Sequence, residues 1–336
     1  RQCRGHEHRA EDGERMRKTI GAGSALALVL VAATAGAAPD KITIPGERVF
    51  PESVTSTSDG TLYVGSIVEG GIRRVAPGAS EAEPWLAPGA HGTRSIFGVL
   101  ADERTGTLWA CSNDVTAIGI PSPGDAPGTT LKSFDLATGA LKTSAPLPGD
   151  FPFCNDIAIA PDGRVYIADT LASRVLRLTP DGTKLEVWAT DPQLTPEPNT
   201  GGADGLVFGK DGALYLTTFN KGELFRITVA PDGSAGAVTK LTPSRQLTLP
   251  DTLRLLEDGS LLLVEGGGTL DRVTVEGNEA RIETLAQGLD GPVSMALVGD
   301  TAWVAEGQLG ILFDPAMKDQ KPKLPFQIVP VPLAGR

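Results

Sequence analysis

One hairpin pattern, two short apolar runs joined by a turn, recurs along the chain and restricts it to a few folds. Residues 153–170 (FCNDIAIAPDGRVYIADT) show it best, because apolar residues alternate on both sides of Asp162-Gly163, a dipeptide that supplies the positive φ values of a tight turn. The six turn positions are Gly60, Gly106, Gly163, Gly212, Gly259 and Asp300, so the copies are 46, 57, 49, 47 and 41 residues apart. Periods of this length predict propeller blades or a solenoid.

The repeats predict an all-β fold, a six-bladed β-propeller with four-stranded blades. Glycine (41) and proline (26) are abundant and long helical periodicity is absent, which is typical of many short strands joined by turns. Residues 325–333 are apolar and rich in proline, and we expect them to complete blade six as an edge strand. Residues 41–49 are a candidate partner for that strand, and their pairing would close the ring.

Counting back eight residues from the turn glycine leads to an oxygen-bearing side chain in four copies. These positions are Glu52, Asn155, Asp204 and Asp251. Because strand side chains alternate, an equal and even offset places all four on one face at one height unless a bulge intervenes. In a closed ring they converge. The corresponding positions in copies two and six are Phe97 or Gly98 and Pro292, which add nothing polar.

Three carboxylates held together in this ring would repel one another and raise each other's pKa values unless a cation were bound among them. Ligands that are all oxygen favour calcium (Ca²⁺), with Mg²⁺ a weaker fit and Zn²⁺ disfavoured without His or Cys. We therefore predict that Glu52, Asn155, Asp204 and Asp251 are metal ligands. The alternative is that polar residues simply line a wet channel.

The N-terminal region differs in character from the repeats. Residues 1–15 are interpreted as an unstructured upstream extension, residues 16–38 as a secretory signal peptide with a basic start, an apolar centre and small residues before Pro39, and residues 39–336 as the propeller. An exported protein, periplasmic or secreted, is expected. After residues 1–38 the chain has 24 basic and 37 acidic residues, which argues against nucleic acid and anionic membranes as partners. A monomer with a small-molecule substrate is expected.

Several other residues have two possible roles. Cys111 and Cys154 can form one disulfide or remain two buried thiols, but their strand positions should make them neighbours on the mouth of the channel. Asp156 could help hold a second metal or cap its strand. His91 is a loop residue that is either solvated or a base at the mouth. Other candidates at the mouth are the rim residues Asn113, Asp169, Glu265 and Glu306, the weaker ligands Asn199 and Asn220, and the long loops 112–131, 145–154 and 190–203.

The segments FPESVTSTSDG, FCNDIAIAPDG, GADGLVFGKDG and LPDTLRLLEDG resemble the regucalcin and gluconolactonase superfamily, to which paraoxonase and diisopropyl-fluorophosphatase are related. The resemblance spans residues 41 to about 315. It implies a six-bladed propeller with a central divalent metal, usually Ca²⁺, and in many members hydrolysis of lactones or esters. Two departures are Asp204, where the family usually has asparagine, and Thr252, where glycine is common.

The function expected from these features is that of an exported metal-dependent hydrolase acting on lactone or ester bonds, with Asp204 or Asp251 activating water. The alternative is a non-catalytic propeller that binds a ligand or protein at its mouth. A quinone-dependent sugar dehydrogenase is less well supported, because the mouth loops show no basic clamps.

Overall fold

The chain forms six antiparallel sheets arranged as the blades of a propeller. The computed structural model describes residues 39–198, 200–317 and 319–333. The predicted extension and signal peptide, residues 1–38, lie outside the described residues. Within the described part, the predicted all-β class, six blades and four-stranded pattern are confirmed.

The first three blades take their strands in chain order from the channel outward. Blade one consists of β2 (Val54–Ser56), β3 (Leu62–Gly65), β4 (Ile72–Val75) and β5 (Glu83–Leu86). Blade two consists of β6 (Ser95–Asp102), β7 (Thr107–Asn113), β8 (Thr130–Asp135) and β9 (Leu141–Pro146). Blade three consists of β10 (Cys154–Ile159), β11 (Val165–Asp169), β12 (Arg174–Leu178) and β13 (Leu185–Ala189).

The last three blades include two strands from outside the repeat. Blade four consists of β14 (Ala203–Phe208), β15 (Leu214–Thr218), β16 (Glu223–Val229) and β17 (Ala235–Lys240). Blade five consists of β19 (Pro250–Leu255), β20 (Leu261–Glu265), β21 (Thr269–Glu276), β22 (Glu279–Gln287) and the short parallel strand β18 (Thr242–Pro243), which the sequence did not predict. Blade six consists of β23 (Pro292–Val298), β24 (Thr301–Glu306), β25 (Phe326–Pro332) and β1 (Ile42–Ile44).

The repeated turn joins the two inner strands of a blade and has one positive-φ residue, not two. At Gly163 φ is 88°, the Gly163 N–H bonds to the Ala160 carbonyl, and the Ala160 N–H bonds to the Arg164 carbonyl. The same bonds recur at Gly60, Gly212 and Gly259. The aspartate before each of these glycines accepts a hydrogen bond from the backbone N–H two residues on, at 2.9–3.1 Å. The turn thus takes its left-handed residue from glycine and its stability from aspartate.

The first and last strands of the described residues pair in blade six. β1 pairs antiparallel with β25, with Ile42 opposite Ile328 and Ile44 opposite Phe326. This confirms the predicted closure, because blade six combines β1 from the start of the described chain with β23, β24 and β25 from its end. Each inner strand also packs on the inner strands of the two neighbouring blades, so the six inner strands surround one central channel.

Helix is a minor component. The described residues form one short α-helix (Gly310–Phe313) and three 3₁₀ helices, Ala90–Gly92, Thr116–Ile118 and Pro192–Leu194. Within residues 39–198, 200–317 and 319–333 we find no helix with the length and apolar character needed to cross a membrane.

Candidate metal centre in the channel

The inner strands of blades two to five each contain a β-bulge at the predicted ring position. In blade three, Cys154 lies opposite Asp169 and Ile157 lies opposite Ile167, so three steps on one strand match two on the other. The same irregularity occurs in blades two, four and five. Its two central residues are Phe97-Gly98, Asn155-Asp156, Asp204-Gly205 and Asp251-Thr252. Because these blades all have the bulge at the same position, it does not change the relative placement of the residues that share the eight-residue offset.

Neighbouring blades come very close at the second bulge position. A Cβ atom on Gly98 would lie 2.1 Å from the carbonyl oxygen of Asn155, and one on Gly205 would lie 2.0 Å from that of Asp251. Glycine is therefore required at both positions by the backbone of the next blade. These contacts fix the backbones of two of the four predicted ligand residues.

The four ring side chains are almost completely buried. Their exposed fractions are 6% for Glu52, 7% for Asn155, 4% for Asp204 and 7% for Asp251. Glu52 lies two residues before β2 of blade one, and the Gly65 N–H donates to the carbonyl of the intervening Ser53 at 3.1 Å. Three buried oxygens have no hydrogen-bond partner, Oε2 of Glu52, Oδ1 of Asn155 and Oδ1 of Asp204. Buried oxygens without partners are costly, and a bound cation would satisfy them.

The three ring carboxyls interact with one another. Burial, and then the charges of Asp204 and Asp156, raises the pKa of Glu52 well above its ordinary value, and Arg254 only partly offsets this. Burial followed by the charge of Asp156 raises the pKa of Asp204, although a hydrogen bond with Asp251 opposes the shift. Burial and the charges of Asp204, Glu52 and Asp156 likewise raise the pKa of Asp251. The structure therefore brings the three carboxyls together in one desolvated acidic cluster.

The donor chemistry fits a hard divalent cation, although a finished coordination shell is not formed. Among the described residues, no three His, Cys, Asp or Glu side chains are placed so that they could ligate one ion together. Carboxylate oxygens are the ligands that a hard cation prefers, and the amide of Asn155 would be a fourth oxygen donor. Glu52, Asn155, Asp204 and Asp251 would be the residues to hold a Ca²⁺ ion.

Blade two closes the ring with an apolar wall. Phe97 occupies the first bulge position and is buried. Its ring packs edge-on against Phe153, with 4.7 Å between centroids. In blade six Pro292 pairs with Glu306 as Cys154 pairs with Asp169 in blade three, so the buried Val293, and not the predicted Pro292, occupies the ring position. Blades two and six thus have apolar residues there, although the eight-residue offset is wrong by one residue in blade six.

Asp156 does not lie free for a second metal. Its Oδ2 accepts a hydrogen bond from the Leu206 N–H of blade four at 3.3 Å and lies 3.1 Å from Nη1 of Arg254 in blade five. Ser53 and Thr252, near the same position in blades one and five, also hydrogen-bond the next blade, at Val99 N (3.0 Å) and at Val293 O (3.0 Å). The position therefore ties inner strands together.

The predicted rim residues hydrogen-bond to the backbone of neighbouring segments, and most of them are buried. Each accepts a hydrogen bond from a backbone N–H in the segment that leads into an inner strand: Asn113 from Cys154 (3.0 Å), Asp169 from Phe153 (2.9 Å), Glu265 from Thr248 and Glu306 from Asp290 (2.8 Å). Asn113 also donates to the Cys154 carbonyl at 2.7 Å. Asn113, Asp169 and Glu265 are fully buried. These hydrogen bonds fix the entry to the inner strands, and the three side chains do not face solvent.

Cys111 and Cys154 are bonded as a disulfide, with Cα atoms 5.2 Å apart. The bond links β7 of blade two to the first residue of β10 in blade three, directly before Asn155. Both sulfurs are buried. The predicted proximity is confirmed, and the disulfide alternative is the one that the structure shows.

Other candidates at the mouth lie outside the ring. His91 is exposed, has φ 54° and packs its ring on Phe134 at 5.9 Å. Asn220 accepts a hydrogen bond from the Gly201 N–H at 2.6 Å, and Asn199 lies outside the described residues. Arg94 holds the loop 112–131 by contacts with Asp114 (3.0 Å) and the Ala126 carbonyl (3.1 Å).

The fold and this cluster define a class, the six-bladed propeller with an acidic central channel. No family model and no curated protein matches the sequence. Solved structures match the fold: the allergen Mala s 1 from Malassezia sympodialis, with TM-score 0.62, 14% identity, and coverage of 88% of this chain and 96% of that one; a luciferin-regenerating enzyme, with TM-score 0.61, 14% identity, and coverage of 85% and 91%; and a candidate gluconolactonase, with TM-score 0.59, 16% identity, and coverage of 80% and 89%.

These neighbours are consistent with the superfamily that the motifs resemble, and at this identity the likeness establishes the fold alone. Propeller enzymes of other classes match too, among them a virginiamycin B lyase from Staphylococcus aureus and an aldose sugar dehydrogenase from Streptomyces coelicolor. The scaffold is therefore one that carries several chemistries, and the channel residues must decide among them.

Proposed function

We propose that this protein is a divalent-metal-dependent hydrolase that opens lactone or ester C–O bonds, with Ca²⁺ as its ion. The observation that carries the proposal is the set of buried oxygens without partners on Glu52, Asn155 and Asp204, in a cluster of mutually repelling carboxyls. Such a cluster is costly to bury alone and becomes favourable around a cation.

The four ring residues have two roles in this proposal. Glu52 and Asn155 would only ligate the ion. Asp204 and Asp251 would ligate it, and one of them would also accept a proton from the attacking water. A bound divalent ion would supply Lewis acidity toward a carbonyl oxygen. Asp204 or Asp251 would accept the proton of the attacking water, since each carboxyl lies in the same buried acidic cluster. Blades two and six flank blade one, and the apolar residues Phe97 and Val293 at their ring positions would border the bound substrate.

Apolar side chains at the mouth favour substrates with an apolar part. Phe151, on the loop 145–154, is 77% exposed, and Ile118, on the loop 112–131, is half exposed. Phe97 and Phe153 continue this apolar surface into the channel. Exposed apolar side chains gain most from contact with an apolar part of a ligand. Lactones or esters with an alkyl or aryl group are therefore the first substrates to try.

The disulfide supports an exported location. A buried Cys111–Cys154 bond is stable in an oxidising compartment such as the periplasm or the extracellular space and is uncommon in the cytosol. Export is part of the proposal. Cleavage near residue 38, found by N-terminal sequencing of the exported protein, would support it, and an uncleaved protein in the cytosol would contradict it.

The test of the hydrolase is turnover with and without metal. A panel of alkyl and aryl lactones and esters, with glucono-lactone as the polar member, would be assayed in EDTA and then with Ca²⁺ restored. We expect turnover that EDTA abolishes and Ca²⁺ restores, and we expect Asp162→Asn, which changes an exposed turn aspartate, to leave it unchanged. Metal binding without turnover of any member would instead favour a non-catalytic binding propeller.

A further inference from the structure

Arg254 places a guanidinium among the acidic side chains of the channel. It lies on β19, three residues after Asp251, and its side chain is 13% exposed. Its two terminal nitrogens face the two carboxyl oxygens of Asp156, at 3.1 Å (Nη1–Oδ2) and 3.4 Å (Nη2–Oδ1). Nη1 also donates to the Leu253 carbonyl at 2.7 Å. The pair is therefore bidentate and largely shielded from water.

The ion pair connects three consecutive blades around the ring. Arg254 belongs to blade five and Asp156 to blade three, 98 positions apart in sequence. Between them, Asp156 Oδ2 accepts the Leu206 N–H of blade four. Asp156 adjoins Asn155, Leu206 follows Asp204 by two residues, and Arg254 follows Asp251 by three, so the pair lies beside three of the four proposed ligands.

The charges divide into two groups. Asp156 is neutralised by Arg254, whereas Glu52 and Asp204 keep buried oxygens without partners. With all groups ionised, four carboxylates and one guanidinium leave three negative charges. A single divalent ion reduces this to one. Without Arg254, the same ion would leave the channel with two negative charges and with Asp156 free to act as a ligand.

We infer that Arg254 is a built-in counter-cation: it occupies Asp156, excludes that carboxylate from metal binding, and so limits the channel to one divalent ion of moderated affinity. This inference rests on the proposed metal site. A residue with only a bracing role differs in its consequences, because its loss would lower stability equally with and without metal. Loss of a counter-cation lowers stability without metal, yet it strengthens metal binding because a nearby positive charge no longer opposes the ion.

The experiment compares the wild type with Arg254→Met, which removes the charge, and Arg254→Lys, which keeps it. Arg281→Met, on the outer strand of blade five and largely exposed, is the control. After EDTA treatment and desalting, Ca²⁺ is titrated calorimetrically for stoichiometry and Kd, and Tm is measured in EDTA and in Ca²⁺. For Arg254→Met we expect binding at least about tenfold tighter, or a second bound ion, and a lower Tm in EDTA with a larger gain on adding Ca²⁺.

Arg254→Lys should have a Kd for Ca²⁺ and Tm values close to those of the wild type, and Arg281→Met should have the same values as the wild type. One ion bound by Arg254→Met at unchanged or weaker affinity, with Tm lowered equally in both buffers, would overturn the inference. If the wild type binds no Ca²⁺, the proposed function fails, and Tm in EDTA still tests the counter-charge. In EDTA, the double variant Asp156→Asn/Arg254→Met should have a higher Tm than Arg254→Met alone, because the double variant no longer buries an unpaired carboxylate. A double variant that melts at or below the single one would contradict the pairing.

Discussion

Aspartates at two positions of the repeat have pKa values shifted in opposite directions, downward in the hairpin turns and upward in the channel. In the hairpin turns, hydrogen bonds from Ser260 lower the pKa of Asp258, and those from Thr57 and Thr61 lower the pKa of Asp59. In the channel, burial and neighbouring carboxylates raise the pKa of Asp204 and Asp251. In the sequence, the two kinds of aspartate differ only in their distance from the turn glycine, which is eight residues for the channel positions and one residue for the turn positions. The turn aspartates stabilise local structure, whereas the channel aspartates destabilise the metal-free protein.

Asp204→Asn should separate binding from stability. The substitution removes one carboxylate from the cluster and keeps the side chain's shape. We expect an unchanged fold, a higher Tm in EDTA at pH 8, Ca²⁺ binding weakened about tenfold or more, and turnover reduced by roughly 10² to 10⁴. Calorimetric titration and kinetics measure these effects, with Asp211→Asn in the turn of the same blade as the control. Unchanged affinity together with unchanged turnover would remove Asp204 from the site.

The raised pKa values of Glu52, Asp204 and Asp251 predict a pH dependence of stability. The folded metal-free chain keeps protons that the unfolded chain releases above about pH 4. Stability from these groups is complete below that pH and is lost as pH rises through the folded values. We expect Tm in EDTA to fall between about pH 5 and pH 8, and Ca²⁺ to reduce the fall because it binds the deprotonated form.

A Tm in EDTA that rose across this range would contradict the shifts. Carboxyls with lowered pKa values, such as Asp59 and Asp114, contribute in the opposite sense. Their contribution is lost as pH falls through their folded pKa values, below about pH 4. It therefore lies outside the window of this test.

At the scale of elements, the inner hairpins were predictable and their bulges were not. Alternating apolar residues and the Asp-Gly turns indicated the strand pairs, since both features act within a few residues. At the Asn155-Asp156 bulge the backbone of Gly98 in the neighbouring blade comes close to Asn155, and no local sequence pattern encodes that approach. The pairing of Asp156 with Arg254 spans 98 positions and was missed for the same reason.

The Cys111–Cys154 bond should stabilise the junction of blades two and three. It closes a loop of 43 residues, for which chain entropy gives roughly 2–4 kcal/mol of folding free energy. We expect Cys111→Ala/Cys154→Ala to lose about that much in denaturant unfolding, and Ca²⁺ affinity to fall because Cys154 precedes Asn155. Cys3→Ala, in the segment predicted to be removed, is the control. Equal stability of the double variant and the control would contradict this role.

At the scale of the whole molecule, closure of the ring depends on a three-residue strand. Ile44 of β1 is fully buried and lies opposite Phe326 of β25. We expect Ile44→Ala to lower the free energy of unfolding by about 2–5 kcal/mol, because it leaves a cavity where the first and last strands meet. Thr43→Ala on the same strand should cost much less. Comparable losses for both variants would show that the closure does not depend on this core contact.

The repeat period identified the architecture, since blade length is a property of the sequence alone. The resemblance and the offset gave the ring residues, and the structure brings their carboxyls into one cluster. Neither could give the substrate, because the loops 112–131 and 145–154 carry no motif and their arrangement depends on distant contacts such as those of Arg94.

We propose that the channel oxygens bind one divalent ion. A crystal structure grown with millimolar Ca²⁺, with anomalous diffraction data collected at long wavelength, tests it directly. We expect one anomalous peak in the channel, ligated by oxygens of Glu52, Asn155, Asp204 and Asp251, with Asp156 still paired to Arg254. A channel without an anomalous peak, in crystals with the four side chains ordered, would contradict it.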